Sequence, residues 1–213
     1  MFFKNKTKYN VTKVYFLATS KDSIDVRGLI NPFIHYSEFE VAQFSMNYGE
    51  MLDTTPELRQ IAKLSLDELE SLDIFDARGR TVLAVNKVFS YLELDFSVFE
   101  FTALTSFDEG LKKEIQLFSD LSDTGNVTYG YSRFLCDDYL PVTEDRVKKG
   151  LFGGASTSIA NEETKWLVQP KDIANGAIKG FYPLNYLSDK AFSVAQQHVN
   201  NLFDSQQRKV AFL

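Results

Sequence analysis

A chain of 213 residues with 44% hydrophobic and 24% charged content is ordinary for a globular protein. It is long enough to bury roughly 70% of the surface that its unfolded form exposes. A net charge of −6 argues against a sequence-independent hold on nucleic-acid phosphates, which takes clustered Lys and Arg. No stretch approaches the ~20 apolar residues of a membrane helix, so neither a nucleic acid nor a membrane is expected as a partner.

Two biases stand out. There are 19 Phe and 10 Tyr but one Trp, which predicts a Phe-dominated core. The acids are concentrated: residues 21–76 hold four bases and twelve acids, a net of −8. A solvated acidic face explains this run, and so does an acidic surface kept for a basic partner. Cys136 is the lone cysteine, so no intramolecular disulfide forms, which fits a reducing, cytoplasmic setting. No signal-peptide pattern follows Phe2 and Phe3.

In chain order, residues 1–12 read as a polar lead-in to one globular domain over 13–213. Lys13 to Ser20 is β-branched and aromatic, the pattern of a buried strand. Asn31-Pro32 signals a turn. Phe39, Val41 and Phe44 suit either a strand or a short helix. Pro56 after Thr54 and Thr55 opens a short helix, and Ser65 with Glu68 forms a capping box for another over about 66–72. Arg78-Gly79-Arg80 is a turn before the run Thr81 to Val88. Tyr91 to Phe101 carries the strongest strand alternation, with a phase slip that predicts a bulge near Val98. Its half-polar pattern is of antiparallel type.

Ser106 and Glu109 open a helix over about 107–121, with Leu111, Ile115, Phe118 and Leu121 expected inward. Val127 to Leu135 reads as a strand. Thr143 suits the start of a one-turn helix ending at Gly150. The Gly-rich run over 152–161 reads as a loop. Lys165 to Val168 reads as a short strand. Pro170 to Asn175 reads as one helical turn, and Ile178 to Leu187, interrupted by Pro183, as an edge strand or irregular segment. Ser188 caps a last amphipathic helix over about 189–203, with Phe192, Ala195, Val199, Leu202 and Phe203 as its core stripe. Lys209 to Leu213 is a candidate terminal strand. Helices and strands do not alternate strictly. The expectation is therefore an α+β fold, a mainly antiparallel sheet packed against several short helices and a C-terminal amphipathic helix.

The candidate chemistry is sparse. Cys136 at a strand end could act as a nucleophile beside His35 or His198, although a single Cys is commonly a small buried hydrophobe. Asp137 and Asp138 could serve as acid and base, but adjacent residues in a strand point to opposite faces, and solvated turn positions suit them better. Two His and one Cys are too few for a zinc set at the usual spacings, so no metal and no cofactor is expected. Gly153-Gly154 with Ser156, Thr157 and Ser158 lacks the Lys of a phosphate loop. Arg78 and Arg80 are displayed near a turn, and Arg is the residue of planar anion recognition. Tyr182 and Tyr186 flank Pro183 in an aromatic segment of the kind enriched at interface cores.

These observations favour a protein-binding module, an inhibitor or immunity-type partner with an acidic or aromatic surface and a basic partner. The alternative is an enzyme with a Cys/Asp/His site. Nothing in the sequence fixes its oligomeric state.

Overall fold

The first strand, β1 (Thr7–Thr19), sits near the middle of an eight-stranded sheet in a computed structural model. The structure describes residues 7–19, 26–37, 39–53, 68–91, 96–106, 111–122, 127–136, 146–149, 155–158, 169–180 and 182–197. Around β1 the order is β10-β7-β1-β6-β5-β4-β2-β3, with β2 Val41–Met46, β3 Leu52–Asp53, β4 Ser71–Asp76, β5 Thr81–Tyr91, β6 Phe96–Ser106, β7 Val127–Cys136 and β10 Leu184–Leu187. A separate hairpin pairs β8 (Arg146–Lys149) with β9 (Ala155–Ser158). Every described pairing is antiparallel, so the fold is α+β on an antiparallel sheet. No described helix is long and apolar enough to cross a membrane.

Alternation along the strands sends two sets of side chains to two faces. On one face Val14 and Phe16 of β1, Phe99 and Phe101 of β6, and Leu72 and Ile74 of β4 are buried. They pack under α1 (Val26–Ser37) and α2 (Lys112–Ser122), which supply Ile30, Phe33, Leu117, Phe118 and Leu121. Rings do much of the filling, as the Phe count implied: Phe101 lies 4.6 Å from Phe16 and 5.4 Å from Phe33. Gly130 of β7 lets α2 come close, because a Cβ there would stand 2.6 Å from the Phe118 ring. On the opposite face Tyr15, Val98, Tyr129 and Tyr131 pack against Ile173 and Ala174 of a short helix, α3 (Pro170–Ala174). The sequence-predicted turn at Asn175-Gly176 closes α3, with Gly176 at φ 90°.

Several expectations shift. β1 begins at Thr7, so part of the polar lead-in belongs to the sheet. Asn10 and Thr12 are buried there and find side-chain partners in Glu114 and Ser132, which is why a polar run serves as a strand. Asn31-Pro32 is not a turn but lies inside α1. The helix survives the lost N–H because Ile30 and Phe33 anchor it in the core. The helix expected over 66–72 is overruled at Ser71 and Leu72, which open β4. The strand expected over Tyr91 to Phe101 is split: Tyr91 ends β5 and Phe96 begins β6. The irregularity expected at Val98 lies on its partner, where the register slips between Lys87 and Phe89 opposite Phe99 and Val98.

The buried face of α2 is Glu114, Leu117, Phe118 and Leu121, while Ile115 is 53% exposed. Leu111, Phe118 and Leu121 are inward as expected, and only Ile115 departs: Glu114 takes the inward place because Asn10 and Thr105 both hydrogen-bond it. The one-turn helix expected to end at Gly150 is replaced over 146–149 by β8, and residues 155–158 of the expected Gly-rich loop form its partner β9. Residues 189–197 are helical, with Ser188 Oγ accepting the Ala191 N–H. The buried residues there are Ala191 and Ala195, and Phe192 is 56% exposed, so it leaves the expected stripe. Expectations over 54–67, 107–110, 159–168 and 198–213 lie outside the described residues, as does the lead-in before Thr7.

Candidate functional site

The sheet carries a polar belt on the α3 face. Ser45, Asp73, Ala84, Thr102, Lys13 and Tyr131 are successive cross-strand neighbours. The adjacent row runs Asn86, Glu100, Tyr15, Tyr129. At the centre Lys13 Nζ lies 3.1 Å from Glu100 Oε1, and the Tyr15 hydroxyl donates to Glu100 Oε2 at 2.7 Å. Burial opposes the Glu100 charge, but Lys13, Tyr15 and the more distant Lys179 outweigh it and hold its pKa below the ordinary carboxylate value. Burial raises the Tyr15 phenol well above its usual value, and the neighbouring Glu100 charge adds to that. Tyr129 is raised for the first of these reasons and donates to the Gly180 carbonyl at 3.0 Å. This centre is closed and mutually satisfied, and its Lys13 and Tyr15 are buried.

At the β2–β3 side the belt ends differently. The Gly49 N–H bonds the Met46 carbonyl at 2.9 Å around Asn47 (φ 50°) and Tyr48 (φ 58°). Positive φ at both central residues gives a turn of type I′ sense, in which Gly is favoured second. Tyr48 holds that position instead, against the usual steric preference. The strain is held by a dense set of bonds to the 68–71 segment. Asn47 Oδ1 accepts the N–H groups of Glu70 (2.8 Å) and Ser71 (3.2 Å), and Asn47 Nδ2 donates to the Glu68 carbonyl at 3.1 Å. The backbone N–H of Asn47 donates to the Ser71 carbonyl, and that of Tyr48 to Ser71 Oγ. Ser45 Oγ closes the loop onto the Gly49 carbonyl at 2.9 Å.

The product is a fixed turn that presents Tyr48 at 79% exposure, with Met51 and Leu52 beside it at 51% and 41%. Glu50 and Glu68 are exposed around them. Behind the turn Asp73 is half-buried with no hydrogen-bond or ion partner among the described residues, and burial raises its pKa.

The sequence candidates are distributed as follows. His35 is exposed near the end of α1, against the edge of Tyr36, whose hydroxyl donates to Asp120 of α2 at 2.7 Å. Cys136 ends β7 opposite Thr7. No described contact joins it to His35. Asp137, Asp138 and His198 lie outside the described residues. Tyr182 stacks on Tyr131 at 3.9 Å and Tyr186 on Phe118 at 5.8 Å, so both rings are engaged within the molecule. Arg78 is exposed, and Arg80 is bound to Asp76 at 2.7 Å. No group of metal-ligating side chains occurs among the described residues. Sequence reasoning missed the Tyr48 turn, although Asn47 before Tyr48-Gly49, between two apolar runs, is a hairpin signal of the right length.

No protein-family model, curated protein or solved structure matches the chain.

Proposed function

We propose that the protein is a binding module for another protein, and that the Asn47–Leu52 turn is the centre of its contact surface. The observation that carries this reading is the pinned left-handed pair Asn47–Tyr48, which holds a large aromatic side chain 79% exposed. Backbone strain is kept where the surroundings over-determine it, and such places are enriched at functional sites. Tyr and Met are enriched at interface centres, and a turn fixed in advance loses little freedom on binding. The flanking Glu50 and Glu68, with Asp73 behind them, suit a partner that brings Lys or Arg to the rim. An inhibitor or immunity-type role is the narrower form of this reading.

The test is affinity capture from the native extract with wild-type protein and with Tyr48→Ala, washed at low and at high salt. A stoichiometric partner held by the wild type, lost by Tyr48→Ala and weakened by salt supports the proposal. The same partner held equally by both proteins overturns it.

A further inference from the structure

A second tight turn, between β4 and β5, borders a cleft of about 390 Å³ lined by Tyr9, Phe39, Glu40, Asp76, Arg78 and Arg80. Its floor is fixed. The Arg80 guanidinium sits in the corner of an edge-on ring pair, 4.3 Å from the Phe39 centroid and 4.9 Å from that of Tyr9, the two centroids 6.2 Å apart. Its Nε and Nη2 donate to Asp76 Oδ2 at 3.0 and 2.7 Å, and its Nη1 donates to the Tyr9 hydroxyl at 2.6 Å. The backbone N–H groups of Arg78 and Arg80 both reach Asp76 Oδ1 at 2.9 Å.

Asp76 is 6% exposed, so its charge is used up inward by four donors. The outer edge of Arg80 keeps N–H capacity on both terminal nitrogens. Arg78, on the same cleft, is exposed, and its guanidinium has no partner among the described residues. Arg78 and Arg80 line one cleft beside a saturated carboxylate and two aromatic rings, and guanidinium groups so grouped suit a planar anion. Glu40 lines the same space and repels a second negative charge.

We infer that this cleft binds a monoanionic carboxylate carried on a flat apolar body, with Arg78 and the outer edge of Arg80 on the carboxylate and Phe39 and Tyr9 against the body. The site is independent of the Tyr48 surface. A doubly charged phosphate is disfavoured by Glu40, and a bare small carboxylate lacks the ring contact.

The test is an NMR titration of the labelled full chain with benzoate, acetate and inorganic phosphate. Benzoate is expected to saturate at millimolar concentration and to shift the amides of Tyr9, Phe39 and residues 76–80, with acetate weaker and phosphate weakest. Arg78→Ala is expected to weaken benzoate about tenfold, the value of one charge-assisted contact. Its fold is retained, because Arg78 gives Asp76 only its backbone N–H. Glu40→Gln is expected to raise phosphate binding. No saturation by benzoate, shifts elsewhere in the molecule, or equal benzoate affinity in Arg78→Ala would overturn the proposal. Phosphate binding unchanged in Glu40→Gln would remove its monoanion preference.

Discussion

Two tight turns at the same half of the sheet solve the same geometric problem in opposite ways. In the Asp76–Arg80 turn the left-handed position is given to Gly79 at φ 71°, where an added Cβ would meet no atom within 4 Å. Asp76 then satisfies the surrounding N–H groups itself. In the Asn47–Gly49 turn the two left-handed positions are Asn47 and Tyr48, and the glycine comes one place later. Besides the Gly49–Met46 and Ser45–Gly49 bonds, most of the stabilising bonds there come from another segment, 68–71. The first turn is self-contained, and what it offers is a cleft beside it. The second is held open by its neighbours, and what it offers is the residue that fits it worst. Of these two turns, the one strained at a side-chain-bearing residue presents that side chain to solvent, and the one relieved by glycine has none there to present.

The largest way to break this contrast is Asp76→Ala. It leaves Arg80 and two backbone N–H groups without their carboxylate and is expected to cost about 3 kcal/mol, read as a lower urea midpoint. The Asp76 pKa is lowered: burial opposes its charge, but the Arg80 and Arg78 donors prevail. A lowered carboxylate contributes stability that is present above its unfolded pKa and lost as pH falls through the folded one. The penalty of Asp76→Ala should therefore shrink below about pH 4.

A smaller effect of opposite sign sharpens the contrast. Tyr48→Gly puts the favoured residue at the second turn position and is expected to stabilise the fold by about 1 kcal/mol, while removing partner capture. A loss of stability in thermal unfolding would mean that Tyr48 is structural, and the strain argument would fall.

The smallest expected change is Asp73→Asn, a gain of about 0.5 kcal/mol at pH 7. Burial raises the Asp73 pKa, so ionisation counts against the fold at neutral pH. The stability associated with its protonated form is complete below the unfolded pKa and is lost as pH rises through the folded one. The gain from Asp73→Asn should thus be present at pH 7 and absent near pH 3, checked by melts at both.

Much of the architecture was legible in the residues. β7, the turn of α3 and the antiparallel character of the sheet follow from apolar runs, from Asn175-Gly176, and from half-polar alternation. What was hidden depended on distant partners. Asn10 and Thr12 look like surface positions until Glu114 and Ser132 stand opposite them. Glu114 takes the inward place that hydrophobicity alone assigns to Ile115. Pro32 reads as a helix breaker until Ile30 and Phe33 dock. The cleft was legible only as far as Arg78 and Arg80: nothing in the local sequence says that Tyr9, 71 residues away, completes it. Tyr182 and Tyr186 were readable as aromatic but not as inward, because stacking partners are set by strand order and not by spacing.

Gly130 has a consequence for how the molecule opens. The Phe118 ring of α2 rests on the bare backbone of β7 where any larger residue would collide with it, so no β7 side chain separates that ring from the strand. Lifting α2 away then uncovers the middle of a strand bonded on both sides, to β1 and to β10. Amide protons of α2 and of central β7 should therefore exchange with solvent in concert, as one opening unit, and not by fraying from the helix ends.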